Sequence, residues 1–159
     1  MKTAIIYASK YGTTEKIAGL IAEKLKETGE IELFSLKKEQ KPDIDGFDTV
    51  ILGTPIYAGK ALKKMKKFCK TNETFLLQKK TGLFVCGMEP NKEKQEQELK
   101  VAYSETLLNK AHATGFLGGA FLFEKMNFVE RMIIKKIAKT TTSVQRIDEK
   151  AINKFAAQV

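Results

Sequence analysis

Two cysteines and one histidine are all that this 159-residue chain offers to disulfide or soft-metal chemistry. Cys69 and Cys86 make neither a disulfide framework nor a zinc-site spacing, and the lone His112 excludes a His-rich metal site. No apolar run approaches the ~20 residues of a membrane span. Acidic residues are scarce too: 19 stand against 28 Lys and Arg, for a formal net charge of +9. That balance favours acidic partners. Yet zinc-finger spacing and strands of interleaved aromatic and basic residues are both missing, so the charge does not read as nucleic-acid binding. The first apolar run stops at Ser9-Lys10 with no cleavage site behind it, and reads as a strand rather than a signal peptide. With no repeat and no linker, residues 1–159 are expected to form one domain. The cysteine usage fits a reducing cytoplasm.

What is present is an alternation of apolar strands and amphipathic helices. A short β-prone run, 3–8, leads into Ser9-Lys10-Tyr11-Gly12-Thr13-Thr14. A helix follows over about 13–26, with Ile17, Leu20, Ile21 and Leu25 on one side and a stop at Gly29. Strands are expected at 30–36, 47–53, 81–86 and 116–123. Polar loop 37–46 and loop 54–60 lie between them, and helices are expected at about 61–70, 91–112, 126–139 and 147–157. Such alternation implies right-handed crossovers. The expected fold is α/β, a doubly wound five-stranded parallel sheet of order 2-1-3-4-5 with helices on both faces. In that order the loops after strands one, three and four converge on one crevice.

The first of these loops has a physical use. A helix start presents unpaired N–H groups and the positive end of the dipole. Ser9, Thr13 and Thr14 add hydroxyls, and Gly12 permits close backbone approach, which together suit a phosphate. The plainer reading is that Ser9 or Thr13 merely caps an ordinary helix.

These residues resemble those of the flavodoxin family. Ser9-Lys10-Tyr11-Gly12-Thr13-Thr14 is similar to its phosphate loop. Gly53-Thr54-Pro55-Ile56-Tyr57-Ala58-Gly59 resembles the loop that packs on the flavin ring, and Cys86-Gly87-Met88 the start of the second ring loop. The resemblance implies a flavodoxin-like fold, one non-covalent FMN, and one- or two-electron redox chemistry with no catalytic side chain. Cofactor contacts would come from Ser9, Lys10, Tyr11, Gly12, Thr13 and Thr14 at the phosphate. At the ring they would come from Thr54, Pro55, Ile56, Tyr57, Ala58, Gly59, Cys86, Gly87 and Met88. Tyr57 is the expected stacking residue.

One branch is nearer. Gly118-Gly119-Ala120-Phe121-Leu122-Phe123 and the helix with Phe128 and Arg131-Met132-Ile133-Ile134-Lys135 look like the flavodoxin-type menaquinone-dependent protoporphyrinogen dehydrogenases. That likeness implies a quinone acceptor, a step of heme biosynthesis and a place at the inner membrane face.

Several features keep two readings. Lys60, Lys63, Lys64, Lys66, Lys67 and Lys70 are either a solvated helix face or a docking surface for an acidic redox partner or an anionic membrane. Arg131, Lys135 and Lys139 form a basic stripe beside a wide apolar arc of Met126, Phe128, Val129, Met132, Ile133, Ile134 and Ile137. Burial between the sheet and the last helix is the reading preferred for that arc, and a membrane or partner contact is the other. Cys86 reads as a small buried hydrophobe, His112 as a helix-end partner, and Asp43, Asp45 and Asp48 as turn formers. A function of another class also fits the basic face: a flavin-free binding module on the same fold.

Overall fold

Ala4, Ile5 and Ile6 are shielded from water on both sides, as a central parallel strand must be. They lie in β1 (Lys2–Tyr7) of a computed structural model that describes residues 1–39, 41–139 and 142–159. Around β1 stand β2 (Glu30–Ser35), β3 (Thr49–Tyr57), β5 (Lys80–Cys86) and β6 (Ala113–Phe116), in the order β2-β1-β3-β5-β6. All four pairings are parallel. Apart from the two-residue β4 (Lys60–Ala61), this is the expected 2-1-3-4-5 order.

Residue alternation along the strands feeds two cores. Ile5, Ile51 and Phe84 pack with Ile17 and Ile21 of α1 (Thr13–Leu25) and Phe155 of α6 (Glu149–Gln158). Ile6, Leu52 and Leu83 pack with Met65 and Phe68 of α2 (Lys63–Leu76) and with Tyr103 and Leu107 on the other face. Gly53 makes room between strands: a Cβ there would lie 2.0 Å from the Phe84 ring.

Four sequence expectations need correction. First, β3 does not stop at Gly53. It runs to Tyr57 and turns through Ala58 (φ 46°) and Gly59 (φ 71°) into antiparallel β4, so most of the supposed ring loop is strand. Second, the helix expected over 91–112 is two, α3 (Lys92–Ala102) and α4 (Glu105–Lys110). Tyr103 breaks it by turning inward, its hydroxyl shared between Leu52 O (2.9 Å) and Phe84 O (2.8 Å), and Ser104 caps the new start.

Third, the last strand of the main sheet is 113–116 rather than 116–123. At Gly118 (φ 81°) the chain turns away, and β7 (Gly118–Phe121) pairs antiparallel with β8 (Val144–Ile147), which periodicity had not suggested. Fourth, α5 (Phe128–Ala138) between β7 and β8 is not buried against the sheet. Only Ile134 is buried among its residues, while Phe128 (76%), Val129 (62%), Met132, Ile133 and Ile137 (62%) stand in solvent.

Candidate functional site

The α1 helix starts without a side-chain cap. Its N-cap is Gly12 in the left-handed region (φ 98°), so neither Ser9 nor Thr13 serves as the cap. Ser9 Oγ accepts from Gly12 N at 3.0 Å, which braces the loop and leaves the Ser9 proton free to donate. Thr13 and Thr14 are buried. Thr14 Oγ1 has no properly formed hydrogen bond; its neighbour is the Cys86 thiol, a weak partner. Glu15, the acid of the first helical turn, is held by the Tyr7 hydroxyl at 2.9 Å. An uncapped helix start with an orphaned hydroxyl fits an anion better than it fits water.

The 122–139 segment supplies what sequence reasoning missed. Lys125 Nζ donates to Tyr11 O at 3.1 Å and lies beside Gly12, so a cation covers the loop. Its helix-adjacent position gave no motif to find it by. Lys10 does not simply extend into solvent, because it pairs with Glu130 of α5, to which the Tyr11 hydroxyl also donates. Lys10 Nζ stands 5.6 Å from the Tyr57 ring centre.

A cavity of about 590 Å³ lies next to Tyr57; residues 9–14 do not line it, and Thr13 meets Tyr57, Cys86, Gly87 and Met88 in a smaller pocket of about 20 Å³. Ile56, Tyr57 and Gly59 form one wall, Met88 and Glu89 another, and Ile134 and Ile137 of α5 a third. Tyr57 is half-buried and meets Tyr11 edge-to-face, with ring centres 5.4 Å apart and planes at 82°. Burial pushes the Tyr57 phenol up, so it stays neutral at ordinary pH. A volume of this size suits a small cofactor.

The other sequence-predicted residues divide. Gly87 is pinned by its amide to Gly118 O at 3.0 Å, and a Cβ on Gly119 would lie 2.6 Å from Gly87 O, so the two glycines let these backbones touch. Met88 lines the cavity, and Ala58 caps its rim. Thr54 points elsewhere: its hydroxyl accepts from Leu62 N at 3.4 Å and staples the start of α2. Pro55 is buried in β3, in register with Cys86. The Cys86 side chain belongs to the core, and burial pushes its thiol up to about 12, so only its backbone can serve a ligand. His112 does follow the C-cap of α4, Ala111, but its ring serves the sheet and not the helix end. It precedes β6, and its Nδ1 accepts from Thr81 N at 3.4 Å. Asp43 does form a turn, accepting from Asp45 N at 3.1 Å, whereas Asp48 holds Lys2 N at 2.7 Å. Among the described residues no cluster of His, Cys, Asp or Glu can hold a metal, and no helix is long and apolar enough to cross a membrane. Gln40, within the expected loop 37–46, lies outside the described residues.

Known proteins resemble the chain throughout. The family model "Flavodoxin domain" matches residues 4–148. A flavodoxin of Clostridium saccharobutylicum is 37% identical over 84 residues, spanning 52% of this chain and 52% of that protein. Protoporphyrinogen IX dehydrogenase [quinone] of Escherichia coli K12 is 22% identical over all of this chain and 94% of its own. The solved Streptococcus pneumoniae TIGR4 flavodoxin superposes with a TM-score of 0.60 at 18% identity, over 99% of this chain and 97% of that one.

Proposed function

The chain belongs to the flavodoxin family, and from that premise we propose that its crevice holds FMN and that the protein is a flavin-dependent redox protein. The observation that carries this is the uncapped α1 start, with its orphaned Thr14 hydroxyl, linked through the Tyr11–Tyr57 contact to the cavity that Tyr57 lines. Backbone amides at the start of α1 and the Ser9, Thr13 and Thr14 hydroxyls would hold the phosphate, with Lys125 adding charge. Tyr57 would stack on the ring, and the Gly87-Met88 backbone would meet its polar edge. The bound flavin supplies reversible one- and two-electron chemistry. The chain itself binds it, orients it and keeps water from the ring. The reading takes residues 1–159 as one domain.

Flavodoxin-like proteins pass electrons to redox partners. For this chain, Lys60 of β4 and Lys63, Lys64 and Lys67 in the first turns of α2, all exposed, suit an acidic redox partner or an anionic membrane. Incubation with excess FMN, desalting and a visible spectrum test the cofactor. Flavin bands near one per chain are expected. A colourless protein would favour the flavin-free binding module.

A second reading has its own support. The likeness to the E. coli dehydrogenase runs the full length of the chain, and α5 exposes five large apolar side chains beside Arg131 and Lys135. An enzyme that oxidises protoporphyrinogen and passes electrons to a quinone at a membrane surface would use such a helix. Porphyrin formation with protoporphyrinogen and a menaquinone analogue tests it, and turnover no faster than autoxidation would reject it.

A further inference from the structure

Glu98 is a carboxyl group with no partner. It stands on α3, and its Oε2 atom is buried without a hydrogen bond. A Cβ built on Gly87 would lie 3.0 Å from that oxygen, so the carboxyl rests against the second ring loop. The same residue lines the 590 Å³ cavity. Glu98 as a whole is half-buried, but its Oε2 atom loses hydration that no hydrogen bond replaces, which native proteins rarely leave so.

The surroundings do not neutralise it. Tyr57 from β3, Arg146 from β8 and Glu89 from the loop before α3 share the cavity, while the α5 wall contributes only apolar side chains. Of the other elements packed on α3, β4 brings Lys60, β5 brings Lys80 and Cys86, α4 brings Glu105 and Lys110, and β6 brings nothing titratable. Lys94 lies one turn away on α3 itself. Among the described residues no ion pair joins Glu98 to Lys60, Lys94 or Arg146. Glu89 is held in place, its Oε1 accepting from Asn91 N at 2.9 Å. Burial first, and the Glu89 charge second, raise the Glu98 carboxyl from 4.5 to about 7.

We propose that Glu98 is a proton-binding site in the wall of the cofactor cavity, which takes one proton from solvent when negative charge enters the cavity and releases it when that charge leaves. This rests on the FMN reading. The electrons come from whatever reduces the bound flavin, an electrode or dithionite in the laboratory. The proton comes from water, and the bond formed is the Glu98 O–H. Added negative charge raises the carboxyl further, so the coupling operates between about pH 7 and that raised value; it fades below, where Glu98 is already protonated, and above, where it is ionised in both states.

Two measurements on wild type and Glu98→Gln test the proposal, with circular dichroism to establish that the variant folds. In flavin-free protein carrying ¹³C-labelled glutamate, one side-chain carboxyl should titrate near pH 7 and be missing in the variant. In FMN-loaded protein, the dependence of midpoint potential on pH just above about 7 should show additional proton uptake per reduction, up to one proton, in wild type relative to Glu98→Gln. A Glu98 resonance titrating in the ordinary carboxyl range, or identical pH dependence in the two loaded proteins, overturns the proposal. Failure to retain FMN shows beforehand as missing absorbance and overturns the cofactor reading and the coupling with it.

Discussion

The Tyr11 hydroxyl in the loop after β1 donates to the Glu130 carboxylate in the first turn of α5. This one contact joins the candidate phosphate loop to a segment that begins more than a hundred residues later. Lys10 pairs with the same carboxylate, and Lys125 Nζ reaches the Tyr11 carbonyl. Glu130 also closes the capping box of α5 with Asn127. The amphipathic helix is therefore oriented by the loop it covers, and not by the sheet.

That tie predicts a local acid transition. The hydrogen bond from Lys10, then that from Tyr11, lowers the Glu130 carboxyl below its ordinary 4.5. A carboxyl lowered by folding stabilises the folded arrangement above its ordinary value and loses that contribution as pH falls through its lowered one. The link is thus intact at neutral pH and fails below 4.5. Hydrogen exchange should show amides of α5 losing protection at a pH where β1, β3 and β5 keep theirs. Uniform loss across the chain would count against it.

Thr14→Val separates ligand binding from folding. In the flavin-free protein the Thr14 hydroxyl is buried without a good partner, a cost of about 1–3 kcal/mol. Valine removes that cost at similar volume, so the flavin-free variant should be as stable as wild type or more so, by up to about 1 kcal/mol. FMN affinity should fall roughly 10-fold or more, the worth of one hydrogen bond to a charged group at about 1.5–3 kcal/mol. Riboflavin, which lacks the phosphate, should bind both proteins alike. Equal losses for both ligands would show that Thr14 does not serve the phosphate.

The sheet was legible because Ala4–Ile6, Val50–Leu52 and Leu83–Val85 are continuous apolar runs, which only doubly covered parallel strands need. The helix start at Thr13 was legible from the glycine and hydroxyls before it. What failed depended on contacts distant in sequence. Tyr103 fits a helical apolar stripe, and only its bonds to Leu52 O and Phe84 O break the helix. The apolar arc of α5 is as wide as that of a buried helix, and no local signal said that the sheet was already covered by α1 and α6. Glu98 looked like one more charge on a charged helix; its isolation comes from where Gly87 and the cavity lie.

Tyr57 should govern ring affinity. It is half-buried, with its ring braced by Tyr11 and with Lys10 near its face. Tyr57→Ala removes an aromatic contact of about 0.5–1.5 kcal/mol beyond buried area, so FMN affinity should drop by roughly 10-fold or more. Tyr57→Phe keeps the ring, and should stay within about 3-fold of wild type. A fluorescence titration of FMN with each protein checks this. A Phe variant as weak as the Ala variant would transfer the role from the ring to the hydroxyl.

The exposed face of α5 should bind anionic lipid. Phe128 and Ile137 are among its most exposed apolar side chains, and Lys135 and Lys136 stand in the same helix. Burying each apolar side chain in the headgroup–acyl boundary is worth about 1.5–3 kcal/mol, and each nearby lysine about 1 kcal/mol. Wild type should therefore sediment with vesicles rich in anionic lipid, less so as salt rises, and poorly with zwitterionic vesicles. Phe128→Ser with Ile137→Ser should lower that partitioning by ~10²-fold or more. Both positions are in solvent in the free protein, so thermal stability should change by no more than about 0.5 kcal/mol per site. Ile137 also lines the cavity, and FMN retention by the single variant Phe128→Ser controls for that. If the double variant partitions like wild type, the lysines around Lys60–Lys67 carry the attachment and α5 meets another partner.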